Sequence, residues 1–238
     1  MSALGHYIEE EGIATVAIAL IRPQAERTRP PRALWVPFEL GRPFGPPRDP
    51  AFQRRVLLTA LQLLEAKTGP VLLADFPEDD PREATDPDWR PPPDLAEADI
   101  EAEIAALAAY YASSCAERGR TTVGLSGLTP KAAGAYVAAW LRGPAANKTP
   151  PSSPVPELSP VLCLRFAIDD LKAYALEAAI AGGGRPSSRQ LGDWLWNQTA
   201  IGAAIRELRR RLLTDEDERA KLIAGMFLVP SLRVTPGG

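Results

Sequence analysis

Proline is the residue that most restricts how this chain can fold. The 238-residue sequence contains 25 prolines, about twice the average share. Proline has no backbone N–H and a fixed φ, so proline clusters cannot lie inside a helix or a central strand. Regular elements are therefore expected between the proline-rich segments, which are residues 29–32, 37–47, 76–93 and 143–160.

The segments before residue 142 alternate between strand and helix patterns. Continuous apolar and β-branched runs predict buried parallel strands at residues 13–21, 33–36, 70–75 and 121–125. Amphipathic periodicity predicts helices at residues 2–11, 49–64, 95–116 and 129–141. This order predicts an α/β domain over residues 1–142, built as a three-layer parallel sheet of the Rossmann-like or flavodoxin-like kind.

The pattern changes after the α/β region. Residues 143–160 are rich in proline and serine, which is typical of a linker or an extended wrap. Helical periodicity then recurs at residues 161–181, 188–213 and 216–228. A helical C-terminal unit is therefore expected over residues 161–230.

Composition excludes several classes of protein and of site. Hydrophobic residues make up 45% of the chain and the formal net charge is −3, so we expect a folded protein with no general attraction to nucleic acid or anionic membranes. The N-terminus carries acids where a signal peptide has basic residues, and no eighteen-residue apolar run occurs, which predicts a cytoplasmic protein. Cys115 and Cys163 lack metal-ligand spacing and His6 is the single histidine, so neither a metal nor another cofactor is predicted.

The proline and glycine loop at residues 37–47 is the main candidate site. It follows a predicted strand, and ligands of open α/β sheets bind at the carboxyl ends of the strands. Arg42, between Gly41 and Gly45, can bind a carboxylate or phosphate as a fork donor. The alternative is a structural loop packed against a neighbour. Glu39 is either a general base or partner to Arg42, or a surface acid.

Two further segments are weaker candidates. Ser126 and Gly127 form a turn between a predicted strand and a predicted helix, which is a general anion-binding geometry. Four acids follow the third predicted strand, where they either bind a divalent cation or lie solvated in a loop; they are Asp75, Glu78, Asp79 and Asp80.

The remaining candidates are single side chains. Cys115 is a candidate nucleophile, although its position near a helix C-terminus disfavours a thiolate, and Cys163 is expected in the core. His6 is expected to be an ordinary exposed histidine. Trp194 and Trp196 are two positions apart and cannot share one helical face, so they indicate either an oligomer interface or burial in the core and its rim.

Two strings in the first half of the chain resemble a known family. Residues 9–16 read EEEGIATV and residues 32–45 read RALWVPFELGRPFG. They are similar to the selenoprotein B subunits of the glycine, sarcosine and betaine reductases, in which a short helix leads to G-I-P-T-V and then to a P-x-P-L-G-N-P loop. Ala14, Glu39 and Arg42 replace the two prolines and the asparagine. The resemblance covers residues 3–65.

The resemblance implies a reductase-like subunit that binds a small amino-acid-like or carboxylate ligand. In the family, the redox-active selenocysteine and its cysteines lie upstream of the helix that corresponds to the one beginning at Ser2, and neither cysteine of this chain matches that position. The redox group is therefore expected on a protein partner, which leaves catalysis by this chain open. The alternative is a non-catalytic binding or assembly protein that associates as a homo- or hetero-oligomer through its C-terminal helices.

Overall fold

The structure is a computed structural model, and it describes residues 2–67, 69–81, 85–93, 95, 99–142, 150–230 and 233. The chain divides into two compact units, Met1–Ala84 and Thr85–Gly238. Three parts of the predictions lie outside the described residues. They are residues 82–84 of the proline-rich loop, residues 96–98 of the predicted helix and residues 143–149 of the predicted linker.

The first unit is a small α/β unit with a parallel sheet. Its elements are α1 (Ser2–Glu10), β1 (Ala17–Ala19), α2 (Arg22–Thr28), β2 (Arg32–Trp35), α3 (Pro50–Gln62) with a 3-10 turn (Leu63–Glu65), and β3 (Leu72–Asp75). The strands are parallel and lie in the order β1-β2-β3. Ile18, Leu34 and Ala74 are aligned across the sheet, so they share one face.

Helix α3 covers that face. Asp49 begins the helix by accepting a hydrogen bond from Phe52 N at 2.9 Å, and Pro50 is its first residue, as the sequence predicts. Phe52, Val56 and Ala60 are spaced by one helical turn and are buried with Leu34 in one core. This packing fixes the position of the carboxyl end of β2, and the loop at residues 37–47 follows that end.

Two predictions for this unit need correction. The strands β1, β2 and β3 are shorter than predicted, and among them only β2 has buried residues. The first strand does not extend over the whole predicted run, since Ile13 and Ile21 at the ends of that run are 62% and 46% exposed. The sequence pattern does not predict helix α2, since most of its seven residues are polar or charged and only Ala25 is buried. Arg22 at its start lies 5.2 Å from the Trp35 ring centroid and forms an ion pair with Asp75.

The second unit is helical throughout its regular elements. They are α4 (Ile100–Arg118), α5 (Pro130–Arg142), α6 (Pro160–Ile180), α7 (Ser188–Asn197), α8 (Ala200–Leu212) and α9 (Glu218–Ile223), followed by a π-helical turn (Ala224–Leu228). Helix α6 is central, because it contacts the other five helices of the unit. Its buried face includes two carboxylates, Asp170 and Glu177, beside the expected apolar residues.

The unit boundary differs from the one predicted at residue 142. The sequence predicts α4 and α5 as parts of the sheet domain, but both helices pack on α6, so they belong to the helical unit. The fourth predicted strand is absent: residues 121–125, all of which the structure describes, join no sheet. Across the described residues the parallel sheet therefore has three strands, and the chain is a mixed α/β protein with a high helix content.

Trp194 and Trp196 lie in the core of the helical unit, 1% and 5% exposed. The predicted helix 188–213 is two helices, and α7 lies against both α6 and α8. The second surface that two tryptophans two apart require is thus supplied within the unit. Neither ring is exposed for association, so the interface predicted from these two residues is corrected to core packing.

Candidate functional site

A cleft of about 510 Å³ lies among α4, α5 and α6. Helix α4 lines it with Glu101, Ile104, Ala105, Ala108 and Tyr111. The start of α5 contributes Thr129, Pro130, Lys131 and Ala135, and α6 contributes Tyr174. The lining is mostly apolar with a few polar groups, which is the usual composition of a small-molecule site.

The cleft exists because α4 carries small residues where it faces α5 and α6. Ala105 and Ala108 are exposed and three residues apart, so they lie on the same face of the helix. A methyl group at each position leaves the space that a larger side chain would fill.

Two tyrosines in contact form one wall of the cleft. The ring centroids of Tyr111 and Tyr174 are 4.6 Å apart, and the planes are inclined by 45°. Tyr174 is buried and its hydroxyl donates to Ile104 O at 2.6 Å. Burial raises the pKa of Tyr174 to about 12, with Tyr111 adding to the shift. The phenol therefore remains neutral in the physiological range.

Behind Tyr111 lies a hydrogen-bond network centred on Glu177. The Tyr111 hydroxyl is 2.8 Å from Thr121 Oγ1, which donates to Glu177 Oε2 at 2.8 Å. Thr122 donates to Glu177 Oε1 through its amide at 2.8 Å and its hydroxyl at 2.7 Å. Burial raises the pKa of Glu177, but the bonds from Thr122 and Thr121 and the nearby Arg118 outweigh it and hold the pKa below its ordinary value.

The turn predicted to bind an anion is filled by the chain's own carboxylate. Asp170 accepts hydrogen bonds from the backbone amides of Gly124, Leu125 and Ser126 at 2.8, 2.8 and 2.9 Å. The Ser126 hydroxyl donates to it at 2.5 Å. Gly127 closes the turn through its amide, 3.2 Å from Gly124 O. The amide and hydroxyl of Ser126 both donate to Asp170, so an external anion at this turn would have to displace that carboxylate.

The loop at residues 37–47 has the turns expected of its glycines. Gly41 and Gly45 have φ values of +91° and +81°, which favour glycine, and the Arg42 amide donates to Glu39 O at 3.0 Å. Arg42 Nη1 lies 3.8 Å from Glu39 Oε2, and both side chains are about two-fifths exposed. The structure thus places Glu39 beside Arg42 on an accessible loop.

The candidate nucleophile lies outside that loop. Cys115 is partly buried on α4, and its Sγ is 4.0 Å from Glu177 Oε2. Cys163 is buried in the helical core, and His6 Nε2 lies 2.8 Å from Arg29 O.

Two of the four acids at the end of β3 and after it, Asp75 and Glu78, form ion pairs. Asp75 pairs with Arg22, and Glu78 binds Arg55 through two hydrogen bonds of 3.0 and 2.8 Å. Within the described part of the chain, no cluster of three or more histidine, cysteine or acidic residues suited to a metal is present. No helix in those same residues is long and apolar enough to cross a membrane.

The sequence pattern did not identify the cleft. Tyr111, Lys131 and Tyr174 lie on three helices, and no local motif links them. The alanine-rich character of α4 was the available signal, because small residues on a helix face allow either close packing or a cavity.

Comparison with known proteins gives no relative: no family model, no curated protein and no solved structure matches this chain. The function is therefore inferred from the geometry of the described residues.

Proposed function

We propose that this chain is a binding protein whose helical unit takes up a small, largely apolar molecule in the cleft among α4, α5 and α6. The cleft itself is the observation that supports this proposal. Its volume of about 510 Å³ falls within the range of roughly 300–1,000 Å³ typical of small-molecule sites. This is the binding alternative among the functions that the sequence left open.

The polar groups of the cleft suit orientation of a ligand. Lys131 is exposed and supplies an ammonium group, while Glu101 is paired with Arg142 at 2.8 Å. A ligand with an apolar body and an anionic group would bury the body against Ile104 and the tyrosines and direct the anion toward Lys131. The dye 1-anilinonaphthalene-8-sulfonate has this chemistry and serves as a probe.

We expect Ala108→Trp to abolish the fluorescence increase that this dye shows with the wild-type protein. The indole would occupy the cleft, since Ala108 lines it and is exposed, so the substitution does not overpack the core. The measurement is a fluorescence titration, with circular dichroism to verify that the variant is folded.

Ala109→Trp is the matched control. Ala109 is the adjacent residue on α4, is also exposed, and lies about 100° around the helix. This variant should bind the dye as the wild type does. Equal binding by both tryptophan variants would place the dye elsewhere and contradict the proposal.

A second proposal follows from the resemblance of residues 3–65. It is a reductase-like subunit that binds a small amino or carboxylic substrate at the loop at residues 37–47, on a three-layer sheet fold, with the redox group on a partner protein. The exposed guanidinium of Arg42 at the carboxyl end of β2 supports it. In this proposal Arg42 binds the carboxylate, and Glu39 orients the guanidinium.

On the second proposal, Arg42→Gln should weaken the binding of glycine or acetate at least about tenfold, because a charge-assisted hydrogen-bond pair is lost. Isothermal titration calorimetry measures the affinity. Arg54→Gln is the control, since Arg54 is exposed on the neighbouring helix α3. Absence of binding to the wild type, together with purification from the native host without a thiol- or selenol-bearing partner, would rule the subunit out.

A further inference from the structure

Glu177 determines the direction of the hydrogen bonds that reach the cleft. An ionised carboxylate can only accept, and the pKa of Glu177 is held below its ordinary value once burial, which raises it, is outweighed by its hydrogen bonds. Thr121 Oγ1 lies 2.8 Å from Glu177 Oε2. The single hydroxyl proton of Thr121 is therefore donated to Glu177.

Thr121 is then an acceptor toward its other neighbours. Its oxygen accepts from Val123 N at 3.0 Å and lies 2.8 Å from the Tyr111 hydroxyl. A hydroxyl has one proton and two lone pairs, so these three contacts use its full capacity only if Tyr111 donates. The hydrogen-bond network thus assigns the Tyr111 proton to Thr121.

Neither tyrosine of the cleft keeps a proton for a ligand. Tyr174 donates to the Ile104 carbonyl, and Tyr111 donates to Thr121. Burial raises the pKa of Tyr111; the hydrogen bond with Thr121 lowers it, but the neighbouring Cys115 and Glu177 raise it, so the pKa lies above its ordinary value and the phenol remains neutral. Tyr111 lines the cleft, and its oxygen retains acceptor capacity after the proton is donated.

We infer that the cleft selects ligands that donate a hydrogen bond, such as hydroxyl-bearing aromatic molecules, with the Tyr111 oxygen as the acceptor and Thr121 as the residue that fixes its orientation. The inference rests on the proposed binding of a small molecule in this cleft. It adds the chemical class of the ligand: an apolar body with a hydroxyl or N–H group at the Tyr111 end.

A pair of naphthalene probes tests the selection. 2-Naphthol donates a hydrogen bond, whereas 2-acetonaphthone has a similar body and only accepts. Calorimetric titration gives the ratio of their dissociation constants for each variant, so the hydrophobicity difference between the probes cancels when ratios are compared. In Tyr111→Phe, the preference for 2-naphthol should fall about fivefold, the equivalent of one neutral hydrogen bond.

Thr121→Val gives the sharper result. Without the threonine oxygen, the Tyr111 hydroxyl is free to donate into the cleft, so 2-acetonaphthone should bind about fivefold more tightly than it binds the wild type. Thr121→Ser keeps the hydroxyl and should retain the wild-type preference. A purely structural role of Thr121 would weaken both probes together and leave their ratio unchanged.

The outcomes distinguish selection of hydrogen-bond donors from binding in the cleft as such. If both probes bind and Ala108→Trp blocks them, but the ratio is the same in the wild type, Tyr111→Phe and Thr121→Val, the selection by hydrogen-bond donors is wrong and cleft binding stands. If neither probe nor the anilinonaphthalene dye binds the wild type, cleft binding fails and the selection fails with it. Should Thr121→Val not fold, the ratio in Tyr111→Phe decides.

Discussion

Replacing Gly202 with alanine should lower the free energy of unfolding by about 3 kcal/mol. Gly202 lies in the first turn of α8, where a Cβ atom would be 2.1 Å from the Leu195 carbonyl oxygen. That oxygen also accepts the Thr199 hydroxyl at 2.6 Å, and Thr199 Oγ1 accepts from Gly202 N at 2.9 Å. The clash therefore falls on backbone that the α7–α8 turn holds in place, and it is relieved only by opening that turn. Urea denaturation followed by circular dichroism measures the loss.

Gly134→Ala is the matched comparison. Its Cβ would also lie 2.1 Å from a neighbour, but that neighbour is Cδ1 of Ile104, the end of a side chain that can rotate. Alanine is also favoured over glycine inside a helix by about 1 kcal/mol, so Gly134→Ala should stay within about 1 kcal/mol of the wild type. Equal losses at the two positions would mean that the α7–α8 turn yields as readily as an isoleucine side chain.

The break between α7 and α8 is not predictable from the local sequence pattern. Apolar periodicity continues from residue 188 to residue 213, so local reading favours one helix. Thr199 is a suitable N-cap, but that signal is weak inside a continuous pattern. The break becomes necessary only in three dimensions, where Trp194 and Trp196 are buried and buried Glu103 of α4 accepts from Ile201 N at 2.7 Å.

Local signals were sufficient where neighbouring residues determine the structure. Asp49 and Pro50 begin α3 as predicted, and Gly119 ends α4 in a left-handed conformation. The parallel strands β1, β2 and β3 lie within predicted runs or one residue from them. In each case the capping residue or the hydrophobic run lies within the element it specifies or directly beside it.

Residues 121–125 show that the local sequence pattern alone does not determine whether a segment forms a strand. Their β-branched and apolar composition is that of a strand, yet their two threonine hydroxyls and the amides of Thr122, Gly124 and Leu125 donate to two carboxylates of α6 rather than to a sheet. Thr121 and Glu177 are 56 residues apart, and Ser126 and Asp170 are 44 apart. The spacing of seven places both acids on one face of α6, but nothing local indicates which segment they bind. The same holds for the cleft, whose walls come from three helices.

We expect Asp170→Asn to lower the free energy of unfolding by about 3 kcal/mol at neutral pH. Asp170 is 1% exposed and accepts four hydrogen bonds, three of them from backbone amides. An asparagine has one acceptor oxygen, and its amide group would face the N–H and O–H donors of Ser126. Asp169→Asn is the control, because that residue is partly exposed and pairs with Lys172 at 2.9 Å; a change below about 1 kcal/mol is expected there.

The difference between the wild type and Asp170→Asn should also depend on pH. Burial raises the pKa of Asp170, but the bonds from Ser126, Gly124 and Leu125 outweigh it, so the pKa of the folded state lies below its ordinary value. A carboxylate with a lowered pKa stabilises the fold fully above its unfolded-state pKa of about 3.9, and the stabilisation is lost as the pH falls through the folded-state pKa. Urea denaturation of both proteins between neutral and acidic pH should therefore show a gap that is constant near neutrality and narrows below about pH 4. A gap independent of pH would show that the loss in the variant comes from shape rather than from charge, and that Asp170 does not anchor residues 124–126 as an ionised group.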